Sequence, residues 1–291
     1  MRIRQKMILD DINTIIARIV SFENPAAYSK FENIDTYDDF KSLLQTNFSS
    51  AFNKYLNRQN IWRGMSSYGS MFIISPGIRK SQNTVNIYTR LLSDILPNWK
   101  DYPKRNRSFI CSSNYIGAGG YGEEQYLVFP ENGSKIGICP RHDIWGSFKD
   151  SVGILPNLNH AIDTLILLAN DKFGSFDYDS DIFNKIDNNE ELINLFNLVD
   201  EYISITPYNQ LFNKIESLRS RDVILECKEN NIPLLKQLEM KLDPKTNGFK
   251  LQTIENYSVG YDITQEVWTD ARCLFVYEAK LHELIEINYK V

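Results

Sequence analysis

Residues 107–139 read RSFICSSNYIGAGGYGEEQYLVFPENGSKIGIC, and this stretch decides the fold class. RSFICSS (107–113) joins apolar residues to small ones and predicts a strand that exits into a loop. The glycine-rich segment YIGAGGYG (115–122) predicts that loop. QYLVF, the turn Pro130-Glu131-Asn132-Gly133 and KIGIC then predict a β-hairpin.

Working outward toward the N-terminus, NIWRG (60–64) and SMFIIS (70–75) predict two more strands, the second closed by Pro76-Gly77. Asn83 to Leu96 carries Val85, Tyr88, Leu91, Leu92 and Ile95 at helical spacing and stops at Pro97, which lacks an N–H and restricts the residue before it. Residues 7–22 place six apolar side chains on one helical face. A second helix starts at Thr36, with Asp39 as its capping-box partner, and buries Phe40, Leu43, Leu44, Ala51, Phe52 and Tyr55. Residues 1–58 are therefore expected to form an N-terminal helical cap. On the other side, about 155–245 reads as helices: a stripe from Leu158 to Ile166, a capping box at Asp187 and Glu190, and Thr206-Pro207 as N-cap and first helical residue. Strands return in YSVGYDITQEVW, RCLFVYEAKL and ELIEINYKV. The expectation is an α+β chain whose core, 59–291, is interrupted by a helical insertion at about 155–245.

Composition excludes several functions. The formal charge of -5, from 32 basic and 37 acidic side chains, argues against a broad nucleic-acid surface. One basic run, KDYPKRNR (100–107), reads either as a solvated loop or as a rim for a phosphate or acidic partner. Four scattered cysteines, with no CxxC and no spacing to His142, His160 or His282, predict reduced thiols and no metal. The N-terminal twenty residues read as an amphipathic helix in place of a signal peptide, and no apolar run approaches the ~18 residues of a membrane span. A cytoplasmic protein without membrane partners is expected.

Three strings place a polar group where a strand is otherwise apolar. Ile61-Trp62-Arg63-Gly64 presents a guanidinium suited to bidentate binding of phosphate or carboxylate. Phe109-Ile110-Cys111-Ser112-Ser113 sets hydroxyls on a strand. Gln265-Glu266-Val267-Trp268 sets a carboxylate among apolar neighbours, costly unless paired or solvated. Each has a plain structural reading too: an edge arginine, serines at a strand exit, an outward-facing acid. Arg141-His142-Asp143 beside Trp145 reads as a second polar cluster or as an ordinary loop pair. Arg79-Lys80 suits phosphates or a solvated turn.

Taken in order, the three strings resemble the R-S-E class of ADP-ribosyltransferases over roughly 60–148 and 255–278. WRG is similar to the family's Y-R-G strand, FICSS to its F-x-S-T-S, YLVFPENGSKIGI to the strands after it, and QEVW to its E-V strand. The resemblance implies a split β-sheet core, with a toxin-like fold, that binds NAD as substrate in a cleft. Arg63 would hold phosphate oxygens, Gly64 and Cys111 would line the cleft, and Ser112 and Ser113 would support the nicotinamide ribose and the catalytic acid. Tyr115 or Tyr121 would stack on the nicotinamide. Glu266 would stabilise the positive charge that appears as nicotinamide leaves.

The chain departs from the family pattern at Cys111, where a serine stands, and at Thr264, where arginine-modifying members carry Glu or Gln. The implied function is transfer of ADP-ribose to a macromolecular acceptor, protein favoured and nucleic acid left open. Hydrolysis of NAD on the same scaffold is the alternative, and a non-enzymatic binding or structural protein is the third reading. Both catalytic readings require Arg63, Ser112 and Glu266 to line one cleft, and a Glu266 carboxylate on the opposite face of the sheet from Arg63 would sink both of them.

Overall fold

A computed structural model describes residues 28–66, 69–79, 86–148, 189–215, 221–260 and 263–281. The helix expected at 7–22, the Leu158–Ile166 stripe, Asp187, His160, His282 and the strand expected at 283–291 lie outside them. The described residues form an α+β structure around one nine-stranded sheet. Its strands are β1 (Tyr28–Asn33), β2 (Trp62–Met65), β3 (Met71–Pro76), β4 (Phe109–Ser112), β5 (Glu124–Pro130), β6 (Lys135–Ile138), β7 (Lys250–Thr253), β8 (Glu266–Thr269) and β9 (Cys273–Tyr277). They lie in the order β1-β3-β9-β5-β2-β4-β8-β6-β7, every ladder antiparallel.

The sheet has a narrow waist. β2 runs alongside β5 for four residue pairs, yet it meets β4 at a single pair, Trp62 with Ser112. Strands β1 to β5 without β4 therefore make one half with β9, and β4, β8, β6 and β7 make the other. The Pro130–Ser134 turn passes the chain across this waist. That corrects the hairpin expectation: β5 pairs with β2 and β9, whereas β6 pairs with β7 and β8. A tight turn sets the reversal of the chain, but both edges of β5 are already taken.

Helices α1 (Tyr37–Thr46) and α2 (Ser49–Leu56) follow β1. Thr36 caps α1 as its sequence predicts, accepting from the Asp39 N–H at 3.1 Å and donating to the Asp39 carboxylate at 2.6 Å. The stretch expected as a helical cap nevertheless includes β1, which forms an edge of the sheet beside β3. Helix α3 (Asn86–Arg90) runs into a π-helical turn, Leu91–Ile95, and ends at Leu96 ahead of Pro97. α4 (Tyr115–Ala118) is a single turn opening the glycine-rich segment, with Asn114 Oδ1 accepting from the Ile116 N–H at 2.7 Å. The described part of the insertion is helical: α5 (Asn189–Ile205), α6 (Tyr208–Ile215), α7 (Arg221–Asn230) and α8 (Leu234–Lys241). No described helix is long and apolar enough to cross a membrane.

Two apolar cores flank β4 and β8, because alternate residues of a strand face opposite ways. Phe109, Cys111 and Val267 join Phe72, Tyr126 and Phe275 on one side. Ile110 and Trp268 join Tyr88, Trp99, Phe249 and the helices α5 to α8 on the other. Buried indoles on this side keep their N–H groups satisfied: Trp99 donates to the Leu242 carbonyl at 2.8 Å and Trp268 to the Pro103 carbonyl at 2.9 Å. The insertion is thus packed into the same core as the strand that carries Glu266.

Gly137 of β6 stands opposite Trp268, and a methyl group there would overlap the indole ring. Since that ring is locked among aromatics, Gly137→Ala is expected to lower stability by about 1–3 kcal/mol. Urea unfolding of the variant against the wild type measures it.

Candidate active site

The three strings singled out in the sequence occupy three neighbouring strands, β2, β4 and β8. Their residues meet in one row: Trp62 is paired with Ser112, and Ser112 with Glu266. Directly opposed residues of antiparallel strands share a face, so Ser112 and Glu266 point to the same side. Ser112 Oγ accepts from the Asn114 N–H at 3.1 Å, which shapes the turn after β4. Ser113 Oγ accepts from the Gln265 N–H at 2.9 Å and ties the segment before β8 to β4. Both hydroxyls therefore build the frame around the carboxylate.

Glu266 is buried, its side chain 3% exposed, and it does not stand alone. The Arg105 guanidinium, 8% exposed, makes an ion pair with its Oε1. The Cys139 thiol lies 3.7 Å from the same oxygen, and the Ile144 N–H donates to Oε2 at 3.3 Å. Arg105 also lies over the Trp268 ring, 5.2 Å from its centroid. Burial pushes the Cys139 thiol up, with the Glu266 charge adding to it. Tyr121, on the exposed loop, has its phenol pushed up to about 12 by burial and then by the Glu266 and Asp143 charges.

Arg63 goes elsewhere. Alternation along β2 sets it on the opposite side from Trp62, hence from Ser112 and Glu266. Its guanidinium donates to the Ile110 carbonyl, in the gap where β2 and β4 part. The Ile110 carbonyl would otherwise lack a strand partner on that edge, so Arg63 closes the split at its waist. Its Nε is buried without a hydrogen-bond partner among the described residues. Cys111 sits on this side, its thiol pushed up to about 12 by burial while the Arg63 charge pulls it down.

The glycine-rich loop covers the site. Any side chain at Gly64 would collide with the Ala118 carbonyl and the Gly122 N–H, so this loop lies directly on the backbone of β2. Tyr115 makes an edge-on contact with Trp62, ring centroids 5.1 Å apart, and stays exposed. Anything approaching Gly64 from this side would have to displace the loop. Of the other sequence candidates, His142 is exposed, and Asp143 accepts from the Gly146 N–H at 2.8 Å. Arg79 donates its backbone N–H to the Asn106 carbonyl, and Lys80 lies outside the described residues. Among the described residues no group of three His, Cys, Asp or Glu is placed to hold a metal.

The sequence reading missed Arg105. Its basic run is solvated only in part: Lys100 and Arg107 are exposed, whereas Lys104 and Arg105 turn inward. Lys104 donates to the Ser93 carbonyl, Arg105 is buried on Glu266, and Arg107 lies 3.9 Å from Asp270. The one local signal was Arg105's place in the short segment between Pro103 and the strand that begins at Phe109.

Two outcomes follow from the burial of these groups. Arg105→Met strands a buried carboxylate and is expected to cost about 3–5 kcal/mol; Glu266→Gln, whose amide oxygen still accepts from the guanidinium, costs less, as urea titrations will show. All four cysteines are free and buried. With Cys111, Cys139 and Cys273 pushed up, they stay protonated near neutral pH. Ellman titration at about pH 8 should find no fast thiol in the folded protein and the full set after guanidinium unfolding, and a fast native thiol contradicts this burial.

No protein-family model matches this chain, and no curated protein or solved structure is significantly similar to it.

Proposed function

We propose that this chain is an ADP-ribosyltransferase that uses NAD, with Glu266 as its catalytic carboxylate and a split-sheet core around it. The observation that carries the reading is the row Trp62–Ser112–Glu266. It draws three strings, spread over some two hundred residues of sequence, onto three adjacent strands at the waist of the sheet. In the reaction the bond between C1′ of the ribose and the nicotinamide nitrogen breaks, and its electron pair leaves with neutral nicotinamide. The acceptor's nucleophile bonds to C1′ and gives up its proton. A fixed carboxylate lowers the barrier most where positive charge grows only at the transition state. Ser112, Ser113 and the Ile144 N–H hold Glu266 and its strand for that task, and removing the glycine-rich loop from Gly64 opens the way.

One observation favours a second reading, a non-enzymatic protein on this scaffold. Arg63 and Glu266 lie on opposite sides of β4, and the Glu266 charge is neutralised by Arg105 at 3% exposure. That arrangement fails the one-cleft condition with Arg63, so the catalytic reading holds only in an altered form, with Arg105 as the guanidinium beside the carboxylate and Arg63 left to the waist of the sheet.

Nicotinamide release from NAD by the purified protein separates the two. The catalytic reading expects release, with Glu266→Gln lowering it by about 10²–10³-fold. Label transferred to a macromolecule in a cell extract identifies the acceptor, and free ADP-ribose alone makes water the acceptor. If the wild type releases no nicotinamide in either setting, the catalytic reading is wrong.

A further inference from the structure

We propose that Arg105 is a ligand-exchangeable latch on Glu266: the diphosphate of the bound dinucleotide takes the guanidinium from the carboxylate, so that binding itself uncovers the catalytic charge. This inference rests on the proposed NAD site. It adds a substrate-holding residue and a coupling between binding and activation.

Four features lead there. The Arg105 guanidinium has five N–H donors, yet its hydrogen bonding among the described residues is confined to one nitrogen, on Glu266 Oε1. Its position does not depend on Glu266. The Trp268 indole binds the Pro103 carbonyl at 2.9 Å, the Lys104 N–H binds the Asp270 carboxylate at 3.1 Å, and the guanidinium lies over the Trp268 ring. The carboxylate likewise keeps a contact of its own, the Ile144 N–H on Oε2. Finally, Arg63 is committed to the Ile110 carbonyl on the other side of β4, so among the described residues Arg105 is the guanidinium paired with Glu266.

A diphosphate offers a guanidinium paired oxygens and more charge than one carboxylate oxygen, and it is the better partner where geometry permits a fork. In the closed arrangement the two opposite charges cancel and Glu266 cannot stabilise a cation. Once Arg105 turns to the diphosphate, the carboxylate's charge is no longer offset by the guanidinium and acts on the ribose. Tyr121, which stands near enough to feel both charges of the pair, flanks the exchange.

A latch and a purely structural ion pair differ in sign. If Glu266 competes with the ligand for Arg105, removing the carboxylate's charge strengthens ligand binding; if the pair only braces the fold, it does not. The probe is ADP-ribose, with inorganic pyrophosphate as a second ligand, titrated calorimetrically into folded wild type, E266Q and R105K. E266Q is expected to bind ADP-ribose more tightly, on the order of tenfold, and R105K more weakly by a similar factor. The double variant should lose the gain. Thermal unfolding confirms that each variant is folded at the titration temperature, and E266D, which withdraws the carboxylate by one methylene, replaces E266Q with the same expected sign if E266Q is not. Unchanged or weaker binding by folded E266Q, unchanged binding by R105K, or no binding of either ligand by the wild type overturns the latch. Nicotinamide release is measured separately. ADP-ribose binding with the expected signs but no release would sink the transferase reading alone, and release with the wrong signs would sink the latch alone.

Discussion

The waist between β2 and β4 is the constraint on which the rest depends. A sheet that continued through this point would satisfy its own backbone groups. One that narrows to a single residue pair leaves carbonyls and N–H groups facing a gap. The chain answers there with a side chain, Arg63 on the Ile110 carbonyl, while Ser112 on the Asn114 N–H fixes the turn after β4 and Ser113 on the Gln265 N–H ties that turn to the segment before β8. Polar residues on an otherwise apolar set of strands are thereby accounted for by geometry alone. The buried Glu266 is the exception, because it satisfies no break in the sheet and requires a cation of its own.

That cation also joins the carboxylate to the core on the helical side of the sheet. Arg105 stands in the turn that precedes β4, Glu266 at the start of β8, and Trp268 beneath both is wedged between Tyr102 and Phe249. The helices α5 to α8 complete this aromatic layer through Trp99. An insertion that sequence alone leaves as a neighbour of the core is, physically, one wall of the environment around the carboxylate. Low local polarity there strengthens the Arg105–Glu266 attraction and makes either partner costly to remove.

Much of the local structure was legible in the sequence, because local chemistry dictates it. The cap at Thr36, the stop before Pro97 and the places of β2, β3, β4, β8 and β9 follow from side chains close to them in the chain. What failed was pairing. Pro130–Gly133 announces a turn, but nothing in a turn says which strands already occupy its neighbours' edges. β1 was hidden in YSKFEN, whose mixed polarity suits an edge strand and gives no strong period. At the site, Ser112 and Glu266 were visible as oddities on strands, whereas Arg105 lay in a charge run whose ordinary meaning is solvation. Only contact with a residue 161 positions away changes that meaning.

The crossing at the waist also has a cost in time. Because β5 and β6 do not close on each other, the described strands in this stretch wait for remote partners in place of a local hairpin. β4 receives β8 across more than 150 residues, after the entire helical insertion. Closing so long a loop is paid in chain entropy before any contact rewards it, which is the signature of slow folding. During synthesis β4 therefore emerges with one edge open and Arg105 without its carboxylate, a state in which a sticky strand edge is exposed until the last quarter of the described chain arrives.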